Sequence, residues 1–79
     1  MPDVTLYTRA GCHLCDEVKA TLLHARTRAA FTLHEIDIDT DPALRARYDH
    51  EVPVVEIDGR KAFKYSLTEA DFLRVLNSR

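Results

Sequence analysis

Seventy-nine residues, 46% of them apolar, with a formal net charge of −2, make one small domain spanning 1–79. The near-neutral charge lacks the basic excess of a nucleic-acid binder, and no apolar run approaches the ~20 residues of a membrane-spanning helix. The opening Met1-Pro2-Asp3-Val4 has neither a basic segment nor an apolar stretch before a cleavage site, so the expected location is the cytoplasm.

Val4-Thr5-Leu6-Tyr7-Thr8 is β-branched and aromatic and predicts a strand, broken by Gly11. From Cys12 to about Arg28, Leu14, Val18, Leu22, Ala25 and Ala29 recur at helical spacing. Asp16 and Glu17 near the start and Arg26 and Arg28 near the end complement the helix dipole. Phe31 to Asp39 predicts a second strand, with Ile36 and Ile38 on one face. Thr40-Asp41-Pro42 opens a short helix over 43–49, with a capping side chain followed by Pro near the first helical position. Val52 to Ile57 predicts a third strand, Asp58-Gly59 a two-residue hairpin turn, and Arg60 to Tyr65 the returning fourth strand. Ser66-Leu67-Thr68-Glu69 and Thr68-Glu69-Ala70-Asp71 both resemble capping boxes, and Ala70, Leu73 and Leu76 form the stripe of a last helix.

The order is β-α-β-α-β-β-α, an α/β class. The first two strands, joined through a helix, should be parallel, and the last two antiparallel. A mixed four-stranded sheet flanked by helices on both faces follows. Tyr7, Phe31 and Phe72 are core candidates. Arg45, Arg47, Arg60 and Lys61 read as scattered solvated charges, and Asp37 and Asp39 as turn-side charges, Asp37 becoming a proton relay if buried.

Cys12 and Cys15 carry the chemistry. A disulfide closing a loop of about four residues stabilises by at most ~2 kcal/mol before ring strain, and the cytosol tends to keep it reduced. Redox chemistry and metal binding are the readings that remain, against two inert thiols on a helix. An intrachain zinc site lacks ligands: there are only two cysteines, His13 is too close in sequence to reach round, and His24, His34 and His50 are scattered. A site shared by two chains stays open. Cys12 falls where the first strand turns into the helix, where unpaired amides stabilise a thiolate. Cys15, at i+3 on the same face, is placed to attack a mixed disulfide held by Cys12. His13 favours the thiolate when protonated, while Asp16 and Glu17 oppose it. The Val52-Pro53 bond, read from residue pattern alone, is compatible with the ordinary trans state, and spacing gives no ground for a cis one.

Leu6-Tyr7-Thr8-Arg9-Ala10-Gly11-Cys12-His13-Leu14-Cys15 resembles the strand, loop and active site of the glutaredoxin family, within the thioredoxin superfamily. Glu51-Val52-Pro53-Val54-Val55-Glu56-Ile57-Asp58-Gly59 resembles that family's segment around the third strand. The resemblance is nearest to short divergent glutaredoxin-like proteins with a Cys-x-Leu-Cys site, and it implies a thioredoxin-like fold. It implies that Cys12 attacks a substrate disulfide and Cys15 resolves it, with no metal and no organic cofactor. It implies a cis bond at Pro53, packed against the cysteines, and pairing of the Val52 backbone with an extended substrate. Arg9 matches a basic position that binds the glutathione carboxylate or lowers the thiol pKa, and its other reading is a solvated loop charge. His13 either tunes the potential or is an exposed imidazole. Phe63-Lys64 stands where the family carries Gly-Gly, and Tyr65-Ser66 follows, which reshapes the shelf for glutathione.

The expected activity is dithiol–disulfide exchange on protein or small-molecule disulfides by a monomer. Glutathione or a thioredoxin-reductase-type donor would re-reduce it. The competing readings are a non-catalytic binding or redox-sensing module, and a dimer bridged by zinc or an iron–sulfur cluster.

Overall fold

β1 (Asp3–Thr8) is the expected first strand, and in the computed structural model, which describes residues 1–78, it lies inside the sheet. On one side it pairs in parallel with β2 (Thr32–Asp37). On the other it pairs antiparallel with β3 (Val54–Ile57), which pairs antiparallel with β4 (Arg60–Lys64). The order β2-β1-β3-β4 is the mixed four-stranded sheet expected from the connections. Asp58 and Gly59 take φ of 52° and 84°, the two positive values a tight hairpin of this kind requires.

Side chains alternate across the sheet and so divide the core in two. Val4 and Leu6 of β1 and Val55 and Ile57 of β3 face one way. There they meet Val18, Leu22 and Ala25 of α1 (His13–Ala25) and Phe72 and Leu76 of α3 (Glu69–Ser78). Tyr7 and Val54 face the other way, against Tyr48 and Leu44 of α2 (Pro42–Tyr48) and against Ile38. Helices therefore cover both faces.

The boundaries differ from expectation where side chains satisfy backbone groups locally. α1 stops at Ala25 instead of Arg28, because the chain tightens into i+3 bonds there. The Thr27 hydroxyl also donates to the carbonyl of His24 at 2.7 Å. The second strand starts one residue late and ends at Asp37, whose carboxylate accepts the amide of Asp39 at 2.9 Å and begins a 3-10 turn, Ile38–Thr40. Ile38 is thereby carried into the α2 face and does not share a strand face with Ile36. Asp37 is a turn-side group, as read. The third strand begins at Val54, since Pro53 has no amide to give the ladder, and the fourth ends at Lys64. α2 opens as expected, with Asp41 capping the amide of Ala43 and Pro42 first in the helix, and it ends one residue early at Tyr48.

Both helix stripes hold in their interior and differ from expectation at the N-terminal end. On α1 the buried line is Cys15, Val18, Leu22 and Ala25, and Leu14 is exposed. On α3 the Thr68 hydroxyl caps the amide of Asp71, so the second capping sequence is the one used. Phe72 and Leu76 are buried there, Leu73 is partly buried, and Ala70 is exposed. Phe31 and Phe72 are core, while Tyr7 is half-buried. Among the described residues no helix is long and apolar enough to cross a membrane.

Candidate active site

The loop from β1 to α1 is a turn built on Arg9-Ala10-Gly11-Cys12. The amide of Cys12 donates to the carbonyl of Arg9 at 3.3 Å, and Gly11, third in the turn, has φ 77°. A side chain at Gly11 would meet nothing within 4 Å, so the requirement for glycine is one of backbone conformation and not of space.

Cys12 is the N-cap of α1. Its Sγ accepts the amide of Cys15 at 3.2 Å, and its carbonyl accepts the amide of Asp16. A sulfur in this position receives one of the unpaired amides of the helix start, which favours its anionic form on reduction. The two cysteines are joined as a disulfide, with Cα atoms 5.2 Å apart. Cys12 is half-buried and Cys15 is fully buried. Of the two cysteines, Cys12 is the one that solvent reaches.

Arg9 is not a solvated charge. Its Nε and Nη2 donate to both carboxylate oxygens of Asp39 at 3.0 Å. Nη2 also donates to the carboxylate of Asp49 at 2.6 Å and Nη1 to that residue's carbonyl at 3.2 Å. The guanidinium joins the loop carrying Cys12 to both ends of the segment that contains α2. Its bonds hold it more firmly protonated than a free arginine and hold the Asp49 carboxyl below the usual carboxylate range. His13 is exposed, with Glu17 3.7 Å from its ring.

Val52-Pro53 lies across the sheet end from this loop, because Tyr7 pairs with Val54. Its peptide bond is cis, as the family resemblance implied and the residue pattern alone did not. Val52 packs against the α2-face cluster and Pro53 is buried. The carbonyl of Pro53 accepts the amide of Tyr65 at 2.8 Å. Phe63 and Lys64 lie in β4, in register with Val55 and Val54. The glycine-like backbone falls one residue later, on Tyr65, whose φ is 74° and which is 44% exposed. A non-glycine residue held there costs ~1–3 kcal/mol.

Several supporting residues were not singled out from the sequence. Glu56, half-buried on β3, accepts from the hydroxyls of Tyr7 at 3.3 Å and Tyr48 at 3.1 Å. The two rings stack at 4.7 Å, and burial, then the Glu56 charge, push both phenols up. Arg47 lies 5.1 Å from the Tyr48 ring centre. Lys61 lies 5.7 Å from that centre and bonds Glu51 at 3.0 Å, which lowers the Glu51 carboxyl. Arg47 and Lys61 are thus engaged rather than freely solvated. A carboxylate inside the apolar run Val54-Val55-Glu56-Ile57 was the available signal, since such a group demands partners.

Comparison with known proteins agrees with this geometry. The model of the "Glutaredoxin-like domain (DUF836)" family matches residues 3–77. Rv0508 of Mycobacterium tuberculosis, an uncharacterised protein, is 36% identical over 73 residues, covering 86% of this chain and 75% of that protein. The solved structure of XcR50 from X. campestris is 34% identical and superposes with a TM-score of 0.78, over 96% of this chain and 97% of that one. A variant thioredoxin from Halobacterium salinarum superposes with a TM-score of 0.75 at 17% identity, over 98% and 73%, which shows the thioredoxin-like fold alone. The fold and the joined cysteine pair fit a redox role.

Proposed function

The chain belongs to the glutaredoxin-like domain family, and from that premise we propose that it is a dithiol–disulfide oxidoreductase acting through Cys12 and Cys15. The observation that carries this reading is Cys12 capping α1, its sulfur on the amide of Cys15, with Cys15 buried one turn behind it.

In the reduced protein the Cys12 thiolate attacks one sulfur of a substrate disulfide. The substrate S–S bond breaks, a Cys12–substrate disulfide forms, and the departing thiolate takes a proton. Cys15 then gives up its proton and attacks Cys12 Sγ. The mixed disulfide breaks, the second substrate thiol leaves, and the Cys12–Cys15 disulfide forms, its two electrons having passed to the two substrate thiols. Two glutathione thiols, or one dithiol of a thioredoxin-reductase-type donor, return it to the dithiol. Val52 offers backbone groups to an extended substrate and Arg9 holds the loop. The protein works as a monomer in a reducing compartment, the cytoplasm, and needs no metal.

The test is the thiol–disulfide equilibrium in glutathione buffers, read by quenched alkylation and mass. A reversible two-thiol transition is expected, with Cys12→Ser abolishing turnover and Cys15→Ser accumulating a mixed disulfide on Cys12. A glutathione adduct on Cys15→Ser identifies glutathione as donor, and its absence favours the dithiol donor. Thiols that never pair, or full dithiol turnover in either variant, would overturn the mechanism. Metal in the purified protein together with metal-dependent dimers would replace it with the bridged-dimer reading.

A further inference from the structure

The exchange mechanism leaves one side chain at the rim without a task. Tyr65 has φ 74°, a conformation glycine enters freely and a residue with a Cβ enters against steric resistance. Its amide is bound to the Pro53 carbonyl, so the backbone turn itself is in use. Tyr65 belongs to neither core cluster, is 44% exposed, and has the Lys64 ammonium 5.3 Å from its ring centre. Glycine would make the same turn with less strain. A large ring kept in an unfavourable conformation and part-exposed outside both clusters adds little to the core.

Strand register places Tyr65 at the same end of the sheet as the cysteine loop: Tyr7 pairs with Val54 and Val54 with Lys64, so Tyr65 follows where β1, one strand beyond β3, runs into that loop. Leu14, in the first turn of α1, is also 44% exposed. Lys61 and Lys64 share the Glu51 carboxylate, at 3.0 Å and 3.7 Å, so the ammonium beside the ring has the longer of the two contacts.

We propose that Tyr65 is a specificity-determining residue for the exchange reaction, an inference that rests on the function proposed above. The occupant is an extended protein segment with an apolar side chain next to its half-cystine and a carboxylate within reach of Lys64. The ring receives the apolar side chain. Glutathione brings carboxylates for Lys64 but nothing apolar for the ring, so the surface selects protein disulfides. The chemistry is unchanged: the reduced Cys12/Cys15 pair gives two electrons to the protein disulfide, which leaves as two thiols.

The experiment uses two disulfide-linked peptide dimers, each with one Asp, differing only in Leu or Gly beside the cysteine. Single-turnover rate constants are measured with the pre-reduced full chain, so no other reductant enters. Hydroxyethyl disulfide serves as the control. The wild type should favour the Leu peptide about tenfold, the scale of a partly buried aliphatic side chain. Tyr65→Gly should bring that ratio close to one, slowing the Leu peptide far more than the Gly peptide or hydroxyethyl disulfide, with a thermal midpoint equal or higher, since glycine relieves the turn. Tyr65→Phe should keep the preference. Equal wild-type rates on the two peptides, or a Tyr65→Gly variant that slows all three substrates alike, would overturn the proposal while leaving the oxidoreductase reading intact. A wild type that reduces none of the three would overturn both.

Discussion

On the α1/α3 face the sheet meets a continuous apolar cluster running from Val4 and Leu6 through Leu22, Phe31 and Phe72. On the α2 face it meets Ile38, Tyr48 and Val54, and beside them a carboxylate held between two phenols. The first face gains its stability from area removed from water, which is non-directional. The second uses directed bonds, and these lead to the site: Arg9 reaches Asp39 and Asp49, and Lys61 reaches Glu51, next to Val52. One face holds the domain together. The other ties the Arg9–Cys12 loop to Asp39 and Asp49, on either side of α2.

The comparison breaks hardest at Phe72. It is fully buried, edge-on to Phe31 at 5.2 Å and tilted against Phe63 at 6.4 Å. Phe72→Ala should lose about 3–5 kcal/mol, the usual cost of truncating a buried phenylalanine. A chain of this size holds only ~4–12 kcal/mol in total. Urea unfolding should therefore show a domain barely folded at 25 °C. A loss under ~1 kcal/mol would mean this face is not the one that carries the stability.

A change on the α2 face should cost less and differ in kind. Tyr48→Phe keeps the buried ring and its stack on Tyr7, and removes only the hydroxyl that Glu56 accepts. Glu56 retains Tyr7, so the loss expected is about 1.5 kcal/mol, that of one hydrogen bond to a charged group. The urea midpoint should fall with an unchanged slope, because the buried surface is nearly the same. A loss as large as that of Phe72→Ala would show the phenol–carboxylate group to be the dominant element of its face.

The apolar face was the more legible in sequence because periodicity reports burial. Val18, Leu22 and Ala25 stand out by spacing alone, as do the alternating residues of β1 and the Asp58-Gly59 turn. Cys12 and Cys15 were legible for a related reason, their place at a strand-to-helix turn. The directed bonds were not. Nothing in the spacing pairs Arg9 with Asp39 and Asp49, thirty and forty residues away. Periodicity also misplaced the start of the α1 stripe, since it sees an exposed Leu14 as core and cannot see that Cys15 completes the buried line. The left-handed backbone at Tyr65 was invisible because its residue type argues against it.

The smallest expected effect sharpens the comparison most, because pH acts on the bonds of the α2 side and leaves the apolar cluster untouched. Hydrogen bonding to Arg9 lowers the Asp49 carboxyl from its ordinary 3.8, and hydrogen bonding to Lys61 lowers Glu51 from 4.5. Between the folded and unfolded values the unfolded chain binds more protons, so stability rises with pH. These contributions are complete above about pH 4.5 and are lost as the pH falls through the folded values. Burial, followed by the Glu56 charge, raises Tyr7 and Tyr48 above 10.0, which gives the opposite limb. Their contribution is complete below pH 10 and is lost as the pH rises through the folded values. Thermal midpoints across pH should therefore trace a plateau with two shoulders. Asp49→Asn should flatten the acid shoulder only, and by little, since its carboxylate is partly in solvent. Tyr48→Phe should reduce the alkaline shoulder only. If both substitutions moved both shoulders, the latch at Arg9 and the group at Glu56 would be one coupled network, and the α2 face would respond to pH as a single unit.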